Sequence, residues 1–537
     1  VYAHAHYRQS DRDLGVERSH PISLKMTDAI NIVWFKRDLR VHDHAPLFEA
    51  AKKEQPVLPL YVVEPEYWKQ DFAARRHWHF IHDCLSELRE DLEQLGQPLI
   101  VRTGAVTDVL DQLRQTLKVD SVYAHEESGN GWTYERDKAV IGWCAEHSVP
   151  LHEYPCNGVV SRLKSRDEWS KIRNQRMAQD LIPKPAQLIP LKEVGPGDIP
   201  AKDHPMFGDD VPGITQNGGR RAAIKALKSF LEERGKHYIY RLSAPGPSEK
   251  YCSRLSPHLT WGTLSVREVV AASNRRRKQL FEEETKAWKR NLSAFGSRLS
   301  WRCHFIQKIE DRPEIEFQCM HPAFEGMREK EHNEAYYQAW KDGQTGYPFI
   351  DACMRNLIYE GWITFRMRAM LVSFASYHLW LDWRRTGSYL AQLFTDYEPG
   401  IHYSQLQMQS GVTGINAVRI YSPLKQSQEH DPEGVFIRQW VPELRDVSTH
   451  WIHEPAKMSR EMQEKAGCII GVDYPEPIVD HAEAVKSART KMSAFRKSDG
   501  FKEDAQKVYQ KLGSRKRPPS KRRSVRKKED TQLSLGI

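Results

Sequence analysis

The first 155 residues alternate short apolar runs with amphipathic stretches. Asn31–Phe35, Val57–Val63, Leu99–Thr103, Ser121–His125 and Leu151–Tyr154 are short, largely apolar runs and read as buried strands. Between the second and third, Trp78, Ile81, Leu85, Leu88, Leu92 and Leu95 recur at spacings of three and four, which predicts one long helix stopped at Gly96. A strand–helix alternation of this kind builds a parallel sheet with helices on both faces. No G-x-G-x-x-G follows the first strand, so a dinucleotide site of that type is not indicated. Residues 156–225 are rich in Pro, Gly and charge and read as a linker wrapped over the surface. From about Ala222 to Ala484 helical periodicities dominate, and aromatic residues crowd 336–403. The expected organisation is a disordered leader (1–27), an α/β domain (28–155), a linker (156–225), an all-α domain (226–490) and a basic disordered tail (491–537).

A chain of 537 residues exceeds one ordinary core, which agrees with two domains. The longest apolar run is Val57–Val63, far short of a membrane span, and the first residues lack the apolar core of a signal peptide. A cytoplasmic protein without a membrane anchor, and a monomer, are expected. The eight Cys form no C-x-x-C pair, so reduced thiols are expected, and metal or iron–sulfur sites are not. Net charge sharpens the picture. Residues 515–528 carry nine of the 80 basic residues and no acid, which leaves a body of 71 basic and 71 acidic residues. Such a tail can grip phosphate. Arg275, Arg276, Arg277 and Lys278 form a second basic cluster within the body.

Motifs carry the reading further. Trp34-Phe35-Lys36-Arg37-Asp38-Leu39-Arg40 with His42-Asp43 resembles the opening strand and loop of DNA photolyases and cryptochromes. Ser253-Arg254-Leu255-Ser256-Pro257-His258-Leu259 with Trp261-Gly262 resembles their FAD-phosphate segment. Thr345-Gly346-Tyr347-Pro348, Asp351-Ala352 with Met354-Arg355, Gly361-Trp362 and Phe436–Leu444 are further matches, all in family order. The resemblance implies a Rossmann-like α/β domain of the antenna-binding type and a helical domain that binds FAD. It assigns Tyr240, Cys252, Ser253, Arg254, Leu255, Ser256, Arg302, Arg368, Asp396, Glu398 and His402 to the cofactor. Hydroxyls and a cation suit a diphosphate, and Arg368, oriented by Asp396, would favour a reduced, anionic flavin ring.

The chain also departs from that family. Phe365 stands where cyclobutane-type repair enzymes carry Asn. Thr364 and Ala369 replace the histidines of enzymes for the six-four lesion. Arg298 replaces a Glu that contacts the lesion, and Met408 replaces a pocket Trp. Trp301, which stacks on a flipped lesion, is kept. His402 takes the usual Asn place at the flavin N5 edge, where it either holds a proton near neutral pH or simply fills the site as a hydrogen-bonding group. Of the Trp series that feeds electrons to the flavin only Trp383 matches, since Leu406 takes the proximal position and Lys330 the outer one. Trp380, Tyr397 and Tyr403 are the substitutes at hand.

Two functions follow from the resemblance. One is a light-driven lyase on ultraviolet-damaged DNA, with Trp301, His402 and Trp383 in catalytic roles and Trp301, Arg298, Arg275, Arg276, Arg277 and Met408 toward DNA. The other is a blue-light photoreceptor without repair activity. A folate or deazaflavin antenna is expected near Glu126-Glu127 and Glu135-Arg136. At the C-terminus Gln532, Leu533, Leu535 and Ile537 resemble the peptide by which bacterial replication and repair proteins dock on the sliding clamp.

Overall fold

The computed structural model describes residues 29–515, apart from 192, 210–212 and 281–284. The expected leader, the basic run beyond Arg515 and the clamp-like peptide lie outside the described residues.

All five expected strands form, as β1 (Ile30–Phe35), β2 (Val57–Val63), β3 (Ile100–Thr103), β4 (Val119–His125) and β5 (Leu151–Tyr154). They make one parallel sheet in the order β3-β2-β1-β4-β5. The connecting helices are α1 (Ala45–Ala51), α2 (Pro65–Trp68), α3 (Arg75–Glu93), α4 (Val106–Thr116) and α5 (Gly131–Glu146). Period-two alternation sends Val33 and Phe35 to one face, against Trp78, Ile81, Leu85 and Leu88 of α3. Ile32 and Trp34 face the other side, with Val109 and Leu113 of α4 and Val140 and Trp143 of α5. Beyond α3, Gly96 adopts φ +107°, and a Cβ there would sit 2.8 Å from the Leu188 carbonyl.

Part of the segment 156–225 runs along the α/β domain. Leu188 N–H donates to the Leu95 carbonyl, Leu191 N–H to Gln97 Oε1, and Trp78 Nε1 to the Pro200 carbonyl. It is not featureless, because α6 (Trp169–Ala178) lies within it and α7 (Arg220–Glu232) begins before its expected end.

The helical part continues with α8 (Tyr238–Arg241), α9 (Pro245–Tyr251), α10 (Ser256–Thr260), α11 (Val266–Gln279), α12 (Thr285–Asp311), α13 (Glu334–Asp342), α14 (Pro348–Glu360) and α15 (Phe365–Ser373). It closes with α16 (Trp383–Leu393), α17 (Pro399–Ser410), α18 (Pro423–His430), α19 (Val435–Trp440), α20 (Arg460–Lys465), α21 (His481–Arg496) and α22 (Phe501–Leu512). The last two correct the expected tail boundary at 491. Ala488 and Met492 of α21 and Val508 and Leu512 of α22 are buried, and Phe501 stacks on His321 with ring centroids 4.0 Å apart. Spaced three and four apart, these apolar residues hold both helices against the core.

Arginines of the α/β domain join the two halves. Arg76 of α3 is 2% exposed and donates to the Leu357 carbonyl at 3.1 Å, the Leu393 carbonyl at 2.9 Å and the Ile358 carbonyl. Those carbonyls end α14 and α16, where the helix leaves its last acceptors unpaired and a cation is favoured. Next to it, His77 Nε2 donates to the Ala391 and Phe394 carbonyls at 3.1 and 3.0 Å. Arg76→Ala leaves the Leu393 and Ile358 carbonyls without this donor, while the Leu357 carbonyl keeps the Gly361 N–H, and is expected to cost about 2 kcal/mol or more, read as a fall in the thermal midpoint. A change within about 0.5 kcal/mol would show that Arg76 does not hold the halves together. Burial pushes the His77 imidazole down to about 4. An unfolded His titrates near 6.5, so this contribution is complete above that pH and is lost as pH falls toward 4. His77→Gln should therefore lower stability at pH 7 and flatten its loss between pH 6.5 and 4; parallel profiles for variant and parent would contradict this.

Candidate active site

The two ends of the sequence motifs meet in space. The loop after β1 carries Arg37, whose guanidinium lies 4.7 Å from the Trp261 ring centroid and donates to the Tyr397 carbonyl. Arg40 donates to the Gly262 carbonyl at 3.0 Å, and Leu39 N–H to the Trp261 carbonyl at 3.1 Å. Gly262 has φ +73°, and a Cβ there would lie 2.2 Å from the Arg37 carbonyl oxygen, so only glycine permits this approach. The loop thus braces α10 and the segment that enters α17.

Those elements, with α12, α15 and α16, enclose a cavity of about 290 Å³, close to the lower end of the roughly 300–1,000 Å³ of ligand sites. Its wall is largely apolar, with Leu259, Phe295, Phe305, Val372, Leu390 and Phe394 among the lining side chains. The polar groups are few and placed. Arg368 and Asp396 form a bidentate pair, both N–O distances 2.9 Å, while Arg368 Nε donates to the Ile363 carbonyl at 2.9 Å and the guanidinium lies 4.1 Å from the Phe394 ring centroid. Arg302 pairs with Glu398 and donates to the Leu259 carbonyl at 2.9 Å. Arg254, held at φ +58°, places its guanidinium 4.2 Å from the Trp362 ring centroid.

Cys252, Ser253, Arg254, Leu255, Ser256, Arg298, Trp301, Arg302, Arg368, Asp396, Glu398 and His402 all line this cavity. Four expectations need correction. Tyr240 is 66% exposed, its ring beside Arg290, and Tyr238 lines the cavity instead. Residues two apart on a helical turn point to opposite sides, so only one of the two can face inward. Met408 does not line the cavity, whereas Gln405 and Gln409 of the same helix do. Trp383 is fully buried in the core but off the cavity wall, which Leu406 occupies. Arg276 is half-buried, donating to the Leu231 carbonyl at 3.0 Å with its guanidinium 5.3 Å from the Trp288 ring centroid, whereas Arg275, Arg277 and Lys278 of that run are exposed.

Of the two roles open to His402, the hydrogen-bonding one fits. Its Nε2 donates to the Gly387 carbonyl at 2.9 Å, and burial pushes the ring down to about 4, so it is neutral at physiological pH and holds no second proton. At Gly387 a Cβ would meet Leu406 Cδ1 at 2.6 Å, so a larger residue here would push the Leu406 side chain aside. Arg298 takes an unexpected place. Its guanidinium lies 4.0 Å from the Trp301 ring centroid and covers the stacking surface that Trp301 was expected to offer.

The residues fit FAD. The apolar chamber suits a flat ring system, and the hydroxyls of Ser253 and Ser256 beside Arg254 suit a diphosphate. On the wall Gln405 Nε2 is buried without a partner and is a donor ready for a ligand acceptor. In the α/β domain the groups expected near an antenna are differently disposed. Arg136 is buried in an ion cluster with Glu64, Glu127 and Asp137, Glu135 pairs outside with Lys138, and the crevices beside this cluster measure about 50 Å³ each. Among the described residues one cluster has metal-ligand character, Asp38, His44 and His125. It is closed by hydrogen bonds. Leu47 N–H donates to His44 Nδ1, so His44 Nε2 carries the proton given to Asp38 Oδ2 at 2.9 Å, and His125 Nδ1 meets the same oxygen at 2.6 Å.

Comparison with known proteins agrees with this geometry. Residues 31–166 match the family model described as DNA photolyase, and residues 295–494 the one described as FAD binding domain of DNA photolyase. A deoxyribodipyrimidine photo-lyase of Alkalihalophilus pseudofirmus is 30% identical over 510 residues, 88% of this chain and 99% of that protein. A cryptochrome DASH of Gloeobacter violaceus is 27% identical, covering 84% of this chain and 93% of that one. The crystal structure of a bacterial class III photolyase from Agrobacterium tumefaciens superposes with a TM-score of 0.76 at 25% identity, over 89% of this chain and all of that one. Because the similarity runs through both domains and includes the residues that wall the cavity, the chain belongs to the DNA photolyase/cryptochrome family of FAD flavoproteins.

Proposed function

We propose that the protein is a light-driven lyase that splits ultraviolet-induced pyrimidine dimers in DNA. The observation that carries this reading is the pairing of Trp301 with Arg298 on the wall of the flavin cavity, an aromatic face and a cation beside the place where a flipped base would enter. Reduced FAD, when bound and excited by light, supplies the electron that opens the dimer. The protein's own part is electrostatic and geometric. Arg368 places a fixed cation by the cofactor, and Asp396 neutralises and orients it. Ser253, Ser256 and Arg254 hold the phosphates, while Gln405 offers a hydrogen bond. Neutral His402 neither adds charge nor donates a second proton. Arg298 exchanges its stack on Trp301 for a stack on the incoming base, since a guanidinium plane stacks on either. Exposed Arg275 and Arg277 meet the phosphate backbone.

A photoreceptor without repair activity is the second reading. It is favoured by Phe365, an apolar residue on the cavity wall at the place where the resemblance expects an Asn. Repair of cyclobutane and six-four lesions under blue light by pre-reduced protein separates the two. Splitting of either lesion is expected, and none with intact FAD would leave the photoreceptor. Trp301→Ala should weaken binding to lesion DNA by about 1–3 kcal/mol, the worth of one base stacked on an aromatic ring, and an unchanged affinity would remove Trp301 from recognition. Arg368→Leu should retain less FAD and make its reduced state harder to reach, whereas an unchanged reduction potential would dismiss the role given to Arg368. The peptide Gln532–Ile537 would tether the enzyme to a sliding clamp through Gln532, Leu533, Leu535 and Ile537. Titration of residues 526–537 against a bacterial clamp, beside a version with Gln532 and Leu535 changed to Ala, should show binding by the first alone, and equal binding by both would discard the contact.

A further inference from the structure

Photoreduction of a buried flavin needs a neighbouring group that can give up an electron. Leu406, on the cavity wall, cannot be oxidised. The nearby tryptophans each lie against a cation: on the wall itself Trp301 has the Arg298 guanidinium 4.0 Å and Trp362 the Arg254 guanidinium 4.2 Å from its ring centroid. Trp380 lies between two cations, Arg328 at 4.5 Å and Lys491 at 4.7 Å from its ring centroid. Trp383 has the Arg384 guanidinium 4.7 Å from its ring centroid. Removing an electron from an indole leaves a positive ring, which adjacent cations disfavour. The charge is relieved only by losing the indole proton, and the buried Nε1 atoms of Trp380 and Trp383 have no hydrogen-bond acceptor.

A different set of groups leads away from the cavity. Tyr397, 1% exposed, is part of the wall, and its ring centroid is 5.2 Å from that of His402. Its hydroxyl donates to the Tyr403 hydroxyl at 3.1 Å. The Tyr403 hydroxyl also interacts electrostatically with the nearby Glu316 carboxylate. Glu316 also accepts the Gly131 N–H at 2.6 Å, and beyond it lie exposed Asp71 and Phe317. Phenol, phenol and carboxylate therefore follow one another from the cofactor cavity toward the surface between the two domains.

We propose that Tyr397 is the electron donor for photoreduction of the flavin, with Tyr403 and Glu316 taking its proton. Tyr397 gives one electron to light-excited oxidised FAD. Its hydroxyl proton passes to the Tyr403 oxygen as the Tyr403 proton passes to Glu316. The products are FAD reduced by one electron, a neutral oxidised phenoxyl at Tyr397 and a protonated Glu316, so charge and protons balance. A thiol at the surface then supplies the electron that restores Tyr397, the proton returns from Glu316 through Tyr403, and the thiol is left as a thiyl radical after losing its proton to water. Burial, with Asp71 adding repulsion, pushes Glu316 up to about 7, near the range where a proton acceptor works best at physiological pH. The inference rests on the family's flavin and not on the repair reading, because repair by pre-reduced protein bypasses this route.

The test is flash photolysis of the FAD-loaded full chain with oxidised cofactor, joined to electron paramagnetic resonance and infrared difference spectra. A tyrosine radical signal is expected, together with a carboxylic acid band that is lost in Glu316→Gln. Tyr397→Phe should remove the radical signal and slow photoreduction about a hundredfold, and Glu316→Gln should slow it by a similar factor, at the low end of what a positioned proton acceptor contributes. Each is close to isosteric, and retained FAD with an unchanged thermal midpoint certifies the fold. Trp383→Phe serves as the control and should leave rate and signal in place. An indole radical in the parent protein, loss of photoreduction in Trp383→Phe, or an unchanged rate and signal in Tyr397→Phe would each overturn the proposal.

Discussion

Guanidinium groups bound to backbone carbonyls across the domain boundary are the constraint on which the cavity depends. Arg37, Arg40 and Arg76 reach from the α/β domain to carbonyls of Tyr397, Gly262, Leu357, Ile358 and Leu393. A carbonyl at the end of a helix has no partner within that helix, and the arginine supplies one while meeting the negative end of the dipole. The bonds to Gly262, Leu357 and Leu393 are buried and the other two partly so, and water replaces them fully only if the domains part. Two cavity segments, Leu259–Thr260 and Asp396–Glu398, adjoin residues fixed in this way. The cofactor chamber lies in the helical domain, but its shape is partly set from outside.

Within the chamber, two of the four lining arginines are matched by acids, and Arg254 and Arg298 lie on aromatic rings instead. Arg302 with Glu398 and Arg368 with Asp396 form pairs whose acids are at most 8% exposed. His402 stays neutral by burial. A largely apolar space responds strongly to any new charge placed in it, since little water is present to screen it. That is a fitting property for a site whose chemistry moves single electrons.

How much of this was legible in the sequence differs by element. The strands and α3 were, because apolar periodicity and Gly96 report directly on burial and termination. The cavity residues Ser253–Ser256, Arg368, Asp396 and His402 came from motif order, with no physical signal able to bring together segments more than a hundred residues apart. Tyr238 escaped because adjacent tyrosines two positions apart look equivalent until the phase of a four-residue helix is known. The choice between Met408 and Gln409 likewise turned on a single step of rotation on α17. The end of the chain misled for another reason. Helices α21 and α22 carry many charges and few apolar residues, so composition hid the stripe of Ala488, Met492, Val508 and Leu512 that docks them. The Arg298–Trp301 stack was beyond reach, since cation–π contacts between residues one helical turn apart leave no trace in composition.

The carbonyl partners of Arg76 have a consequence for how the chain is made. The Leu393 carbonyl lies 317 residues downstream of the guanidinium it accepts from. At ordinary rates of translation, roughly 5–20 residues per second, α3 emerges about fifteen seconds to a minute, and the completed sheet roughly ten to fifty seconds, before the Leu393 acceptor exists. During that interval the face of α3 that carries Arg76 and His77 is wet and uncommitted, and the nascent α/β domain is complete as a sheet but not as a surface. Vectorial synthesis therefore separates the folding of the two halves in time, and the final docking waits for α16 to leave the ribosome.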